Sequence, residues 1–244
     1  MLELKDIHWS VGWNHILKWV NLKVKKSEAI WVVWPNGCGK TSLINMINGF
    51  NAASYGTIEF HKQEITKASV EHRASMWIGR VFQSFWIFKE LTLYENLALA
   101  FVKDLSFIQK ILPIWFLPDK ITSKIDKVLK EVDLYKKRHE LAGSLSGWQM
   151  RLLEIARLYL QDMDVYLLDE PTAWVSPKLK WKVIKLIRKI IDSWKSVIIV
   201  EHDFNFISQF VDRLVLMEDG EIILDGKYDE IKDSKKMKQV YLWV

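Results

Sequence analysis

Cysteine is all but missing from this chain of 244 residues: Cys38 stands alone, so no intrachain disulfide can form and nothing suggests secretion. Long apolar runs are missing as well. The longest, Ile111 to Leu117, contains a proline and falls far short of a membrane span. The opening Met1-Leu-Glu-Leu-Lys-Asp lacks the apolar stretch of a signal peptide. A soluble, cytoplasmic protein is therefore expected, one that reaches a membrane through a partner. Charge of one sign is also in short supply. The 35 basic and 30 acidic residues leave a formal net charge of +5, carried partly by Lys232, Lys235, Lys236 and Lys238 and by the Lys-rich stretch from Lys178 to Lys189. These stretches read as solvated helix faces, and no nucleic-acid partner is expected. Glycine is scarce, with 10 residues where usage of ~7% predicts roughly 17. Tryptophan outnumbers it, at 13.

Half of the chain is hydrophobic, enough for a substantial core, and the length suits one large domain or one domain with a sub-lobe. Apolar residues alternate at Leu2, Leu4 and Ile7 and again from Ile16 to Val24, which predicts two strands of an antiparallel edge sheet. Ala29 to Val33 is wholly apolar, the mark of a strand buried on both faces. Two more such runs follow, Val165–Leu168 and Val197–Val200, separated by an Ile- and Lys-rich helical stretch. Residues 86–145 read mostly as helix, and Arg213 to Asp225 as a hairpin around Asp219-Gly220. There is no internal repeat and no low-complexity linker.

The strand ending at Val33 runs into Pro35-Asn36-Gly37-Cys38-Gly39-Lys40-Thr41-Ser42 and then into a helical pattern through Leu43, Ile44, Met46 and Ile47. Strand, glycine loop and helix in that order form a phosphate-binding loop, once its first position, Trp34, is set aside. Successive backbone N–H groups make a nest for phosphate oxygens at the positive end of the helix. Lys40 is expected to reach the β- and γ-phosphates and the Thr41 hydroxyl to ligate Mg²⁺. The second element is Val165-Tyr166-Leu167-Leu168-Asp169-Glu170, which places two carboxylates at a strand's carboxyl end, where α/β sheets bind ligands. Asp169 is expected on the Mg²⁺ side and Glu170 as the group that orients or activates an attacking water.

Leu145-Ser146-Gly147-Trp148-Gln149, followed by a helical pattern, narrows the field. Here the sequence resembles the ABC ATPase family, whose signature is Leu-Ser-Gly-Gly-Gln. Gln83 in Val81-Phe82-Gln83-Ser84 matches the family's Q-loop, Ala173 to Pro177 its D-loop, and His202 in Val200-Glu201-His202-Asp203 its switch histidine. The fold that the resemblance implies is α/β: a P-loop NTPase (RecA-like) core with an antiparallel β edge subdomain and an inserted α-helical subdomain. The core would span 1–85 and 155–244 and the helical signature subdomain 86–154. The resemblance also implies two such domains paired head to tail, with each ATP held by Pro35, Asn36, Gly37, Cys38, Gly39, Lys40, Thr41 and Ser42 of one and by Ser146, Gly147 and Gln149 of the other. Glu170, His202 and Gln83 would carry catalysis, and Thr41, Gln83 and Asp169 would hold Mg²⁺. The partners implied are a second ABC ATPase subunit and transmembrane permease subunits, with the chain peripheral on the inner face of the cell membrane.

Several tryptophans stand where the family has glycine: Trp34 in the phosphate loop, Trp148 in the signature, Trp174 in the D-loop, and also Trp19, Trp31 and Trp243. An L-residue held in a left-handed conformation costs ~1–2 kcal/mol, and an indole at Trp148 would block closure of the paired domains. Two explanations stand open. A codon read as glycine by one genetic code and as tryptophan by another would place Trp at such sites. A degenerate subunit that has lost catalysis would keep real tryptophans there. Thirteen tryptophans cannot all be displaced glycines, since the total would then exceed ordinary glycine usage. The position that stacks the adenine base in the family is Val11, with Trp9 and Trp13 nearby, so base selectivity is open.

The stretch Ile87 to Leu97, the insert 101–125, Ile44 to Phe50 and the terminal Val240-Tyr241-Leu242 look most like ATPases of branched-chain amino acid and urea importers. Lipopolysaccharide-export ATPases share several of these features and are the alternative.

Overall fold

The computed structural model describes residues 1–33, 40–84, 86–103, 117–173, 175–201, 203–208 and 210–241. In chain order the elements begin with β1 (Leu2–Val11), β2 (Asn14–Val24), β3 (Ala29–Val33), α1 (Lys40–Asn48), β4 (Tyr55–Phe60), β5 (Gln63–Glu64), α2 (Val70–Ser75) and β6 (Ile78–Val81). Three helices follow as α3 (Leu93–Ala98), α4 (Asp119–Glu131) and α5 (Gly147–Leu160). The chain then gives β7 (Val165–Asp169), α6 (Lys180–Asp192), β8 (Ser196–Val200), α7 (Phe204–Ile207), β9 (Arg213–Glu218), β10 (Glu221–Lys227), α8 (Tyr228–Ile231) and α9 (Lys235–Tyr241). These divide into two compact units, one of residues 1–80, 164–170 and 190–244, the other of 81–163 and 171–189.

The first unit is built on two sheets. The two strands expected of an antiparallel edge sheet are there as β1 and β2, and β4 and β5, which the alternation did not reveal, complete it in the order β2-β1-β4-β5. The apolar positions on β1 step by three from Leu4 to Ile7, and those on β2 by three from Leu17 to Val20. Strict alternation would turn one residue of each pair outward. The structure keeps all four inward by a bulge in each strand, with Asp6 (φ 51°) and Trp19 (φ 53°) as the extra residues. The second sheet has the order β10-β9-β3-β8-β7-β6. Its central strands β3, β7 and β8 are parallel and buried along their whole length, which is why they read as unbroken apolar runs. The expected hairpin around Asp219-Gly220 is β9–β10 at its edge.

One buried charge closes the top of α1. The Arg73 guanidinium donates to the carbonyls of Met46 (2.5 Å), Ile47 (2.9 Å), Thr66 (2.8 Å) and Ala68 (3.1 Å). The first two belong to the last turn of α1, whose carbonyls have no partner within the helix. Burial pushes this guanidinium down to about 10, still charged at neutral pH.

The second unit is helical in its described part. α3 opens on a capping box between Thr92 and Glu95. α4 turns Ile121, Ile125, Val128 and Leu129 inward, at the spacing of an amphipathic helix. Asn96, fully buried, exchanges two hydrogen bonds with the backbone of Phe88 (3.0 and 2.9 Å) and so fixes the chain that leads into α3.

Two glycines test the edge sheet. At Gly56 (φ 89°) an added Cβ would lie 2.4 Å from the carbonyl oxygens of Lys5 and Asp6, whereas at Gly12 (φ 58°) it would meet nothing within 4 Å. Gly12→Ala is expected to lose roughly 1–2 kcal/mol, the left-handed strain alone. Gly56→Ala is expected to lose a further ~1–3 kcal/mol as the backbone shifts. Urea denaturation of the two variants gives the comparison, and equal losses would contradict this packing.

Candidate functional site

Parallel pairing sets three strand ends at one level. Val32 of β3 and Asp169 of β7 both lie opposite Val200 of β8. The chain therefore leaves the same sheet rim at three places: after Val33 into residues 34–39 and α1, after Asp169 at Glu170, and after Val200 at Glu201. The carboxyl end of a parallel sheet is where this class of fold binds ligands. Residues 34–39, the Lys40 side chain, His202 and Trp174 lie outside the described residues. Of the expected loop residues, Thr41 is exposed and Ser42 half-buried, both in the first turn of α1.

Asp169 is buried at this rim and paired with a residue that the sequence reading passed over. The Arg80 guanidinium, at the end of β6, donates to Asp169 Oδ2 at 3.0 Å and to Asn45 Oδ1 on α1 at 2.5 Å. Arg80 and Asp169 side chains are 4% and 3% exposed, so the pair is essentially dry. Burial lowers the Arg80 guanidinium from its ordinary value, and Asp169 offsets part of that. One cation thus joins the strand that carries the acid to the helix that follows the glycine loop. A charged residue inside the otherwise apolar Ile78–Val81 was the signal available in the sequence, since a buried charge requires a partner.

Glu170 follows directly. It is half-buried, takes a left-handed conformation (φ 48°), and its N–H donates to Val200 O (2.9 Å). The turn carries the chain out of β7 while keeping Glu170 tied to the rim. The donor chemistry also suits a hard divalent cation: the Thr41 hydroxyl and the Asp169 carboxylate are oxygen ligands. No cluster of three or more metal-binding side chains exists among the described residues. Mg²⁺ ordinarily needs only one or two protein oxygens when a substrate phosphate supplies others.

The second unit holds the other expected residues. Gln83 is exposed just beyond β6, and its backbone is clamped from α5: Arg151, fully buried, donates to Phe82 O (2.5 Å) and Gln83 O (2.7 Å). Arg151 also pairs with Glu154 at 2.8 Å, and Glu154 accepts from the Trp86 N–H at 3.3 Å. Burial raises the Glu154 carboxyl, and Arg151 opposes the shift. Neither residue was singled out from the sequence. At the start of α5, the Ser146 hydroxyl and N–H both donate to Gln149 Oε1 (3.0 Å each), so Ser146 and Gln149 hold the helix terminus itself. Gly147 and Trp148 fill the first turn, with Lys182 Nζ 5.3 Å from the Trp148 ring centroid. At the base-stacking position Val11 is 55% exposed, and Trp13 stands fully in solvent at the hairpin tip.

Arg80→Met would strand the Asp169 carboxylate in a dry site without its arginine. Removal of one partner of a buried pair is expected to cost about 3–5 kcal/mol. Asp169→Asn added to Arg80→Met is expected to recover part of that loss in urea denaturation, and strict additivity of the two losses would sink the pairing.

Comparison with known proteins shows the family. The protein-family profile described as ABC transporter matches residues 17–173. A probable branched-chain amino acid transport ATP-binding protein (LivG) of Archaeoglobus fulgidus is 31% identical over 228 residues, which cover 91% of this chain and 88% of that protein. The arginine transport ATP-binding protein of Bacillus subtilis (strain 168) is 28% identical over 240 residues, covering 98% and 96%. Among solved structures, the ADP conformation of an ATP-binding cassette of an ABC transporter superposes with a TM-score of 0.84 at 28% identity, over 99% of this chain and 98% of that one. A dimeric bacterial ABC transporter cassette gives a TM-score of 0.79 at 25% identity, over 93% and 98%. With a profile match across more than half its length and a relative at 31% identity, the chain belongs to the ABC transporter family as an ATP-binding subunit.

Proposed function

We propose that this chain hydrolyses ATP to drive amino-acid import through membrane-spanning partners. The observation that carries the reading is the shared rim at which β3, β7 and β8 end, with Asp169 held there by Arg80 and Glu170 next to it, half-buried and bonded through its N–H to Val200 O. On this reading residues 35–42 cradle the phosphates, with Lys40 on the β- and γ-phosphates. Thr41 and Asp169, with Gln83, would hold Mg²⁺, which spreads the charge that develops on the phosphoryl oxygens. Glu170 aligns a water and draws off its proton as the water oxygen attacks the γ-phosphorus. The bond to the β-phosphate bridging oxygen breaks, and ADP and phosphate leave. His202 would stabilise the charge on the departing phosphoryl group.

Ser146, Gly147 and Gln149 would complete the site of a second copy, as the dimeric cassette among the structural relatives supports. Among the described residues no helix is long and apolar enough to cross a membrane. On this reading the solute passes through transmembrane permease subunits, with this chain docked on the inner face. The relatives are named for arginine, cystine, methionine and branched-chain amino acids, which supports amino-acid cargo as a class. Branched-chain amino acids are the finer reading, from the likeness of residues 87–97. A second reading, a nucleotide-binding but inactive subunit, is favoured by Trp148 in the first turn of the signature helix.

The chain carrying Trp34→Gly, Trp148→Gly and Trp174→Gly is expected to turn over MgATP. Glu170→Gln in that background should lower kcat by roughly 10²–10⁴-fold and leave nucleotide binding intact. Turnover that survives Glu170→Gln would remove Glu170 from catalysis. No turnover in the triple variant would favour the inactive-subunit reading.

A further inference from the structure

Among the described residues, eleven that are not glycine have a positive φ, and three of these are tryptophans: Trp19 (53°), Trp77 (71°) and Trp194 (61°). The other eight are Asp6, Ser27, His61, Lys62, Asp133, Asp162, Glu170 and Asp219, every one polar. Aspartate and histidine are enriched in the left-handed region because short polar side chains can bond to nearby backbone. A bulky indole gains nothing comparable, and its Cβ still crowds the following carbonyl.

Each of the three sits in a motif that asks for glycine. Trp77 and Trp194 take the position after the C-cap of α2 and of α6. In both, the N–H reaches back to the second-last helical carbonyl: Trp77 to Ala74 O (3.2 Å) and Trp194 to Ile191 O (3.0 Å). That is the left-handed helix stop, most often closed by glycine. The same chain ends α1 with Gly49 (φ 90°). It ends α4 and α5 with Asp133 and Asp162, whose N–H groups reach Lys130 O and Tyr159 O (3.2 Å each). Trp19 is the left-handed residue of the β2 bulge, again a glycine position.

The backbone at these positions is held through its carbonyls, although the Trp19 ring also lies 5.3 Å from that of His8 and 6.3 Å from that of Tyr55. The Trp77 carbonyl accepts from the N–H groups of Asp164 (2.9 Å) and Val165 (3.2 Å). The Trp194 carbonyl accepts from the Ser27 hydroxyl (2.7 Å), and the Trp19 carbonyl from Asn21 Nδ2 (3.1 Å). The side chains of Trp19, Trp77 and Trp194 remain 60%, 42% and 75% exposed. Burial, the usual contribution of tryptophan, is largely forgone at Trp19 and Trp194 and only in part at Trp77. Trp31 shows the contrast: it is fully buried in β3 and its indole N–H donates to Glu201 O at 2.9 Å.

We infer that positions 19, 77 and 194 hold glycine in the protein its native host makes, because the host reads the codon UGA as glycine where the sequence as written has tryptophan. Trp77 and Trp194 lie in none of the nucleotide motifs, so this inference is independent of the ATPase reading. Its extension to Trp148, within Leu-Ser-Gly-Trp-Gln, does rest on that reading, and there glycine would restore the family signature.

The test is peptide mass spectrometry of the protein purified from its native host, with the gene sequenced from the same cells. UGA codons at 19, 77 and 194 with glycine-mass peptides are expected. A UGG codon, or an indole-bearing peptide, at any of the three overturns the inference whatever the ATPase assay gives. A second measurement uses recombinant chains. Trp77→Gly and Trp194→Gly should each raise the melting temperature by roughly 2–4 °C, whereas Trp77→Ala and Trp194→Ala, which keep the Cβ, should not. Equal behaviour of glycine and alanine would overturn the conformational basis.

Discussion

The hydrogen-bond register among β3, β8 and β7 is the constraint from which the site follows. Parallel strands pair at a fixed stagger, so Val32, Val200 and Asp169 must share a level. The residues just beyond them then emerge together, although more than a hundred positions separate Val33 from Asp169. A one-residue slip of β7 would move Asp169 off the rim and turn every side chain of that strand to the other face of the sheet. Full burial of all three strands makes such a slip expensive, because every side chain on both faces has a packed partner.

Three buried arginines each fix the residues around them. Arg73 satisfies the terminal carbonyls of α1, Arg80 joins α1 to Asp169, and Arg151 grips the backbone of Phe82 and Gln83. In each case the planar guanidinium spans several acceptors at once, geometry that a lysine ammonium could not reproduce. Taking a charge out of water is unfavourable unless it is paired and hydrogen-bonded, and these three meet that condition through carbonyls or carboxylates of the residues they position. The first two act within the first compact unit and the third within the second.

Much of this was legible in advance. The unbroken apolar runs at Ala29–Val33, Val165–Leu168 and Val197–Val200 named the central strands, because burial on both faces leaves no polar alternation to confuse them. The Gly-Cys-Gly-Lys-Thr loop and the Asp169-Glu170 pair stood out because phosphate and metal chemistry would ask for those residue types in that local order, and of these the structure describes the acid pair at the strand end. β4 and β5 were missed, since Tyr55–Phe60 and Gln63–Glu64 mix exposed and buried positions without a clean period. The bulges in β1 and β2 were written into the three-residue steps from Leu4 to Ile7 and from Leu17 to Val20, a signal that alternation alone treats as noise.

By itself, the sequence determined the family, the α/β class and the kinds of residue able to handle a nucleotide, because each of these rests on short-range pattern. Only the tertiary structure decided which groups meet. Arg80 finds Asp169 and Asn45 through strand order, and Arg151 finds the backbone of Gln83 through helix packing, neither of which a linear pattern encodes. Backbone torsion belongs to the same category. That Trp77 and Trp194 stand at left-handed helix stops, while Trp31 packs in an ordinary strand, depends on how the chain must turn to satisfy its hydrogen bonds in three dimensions.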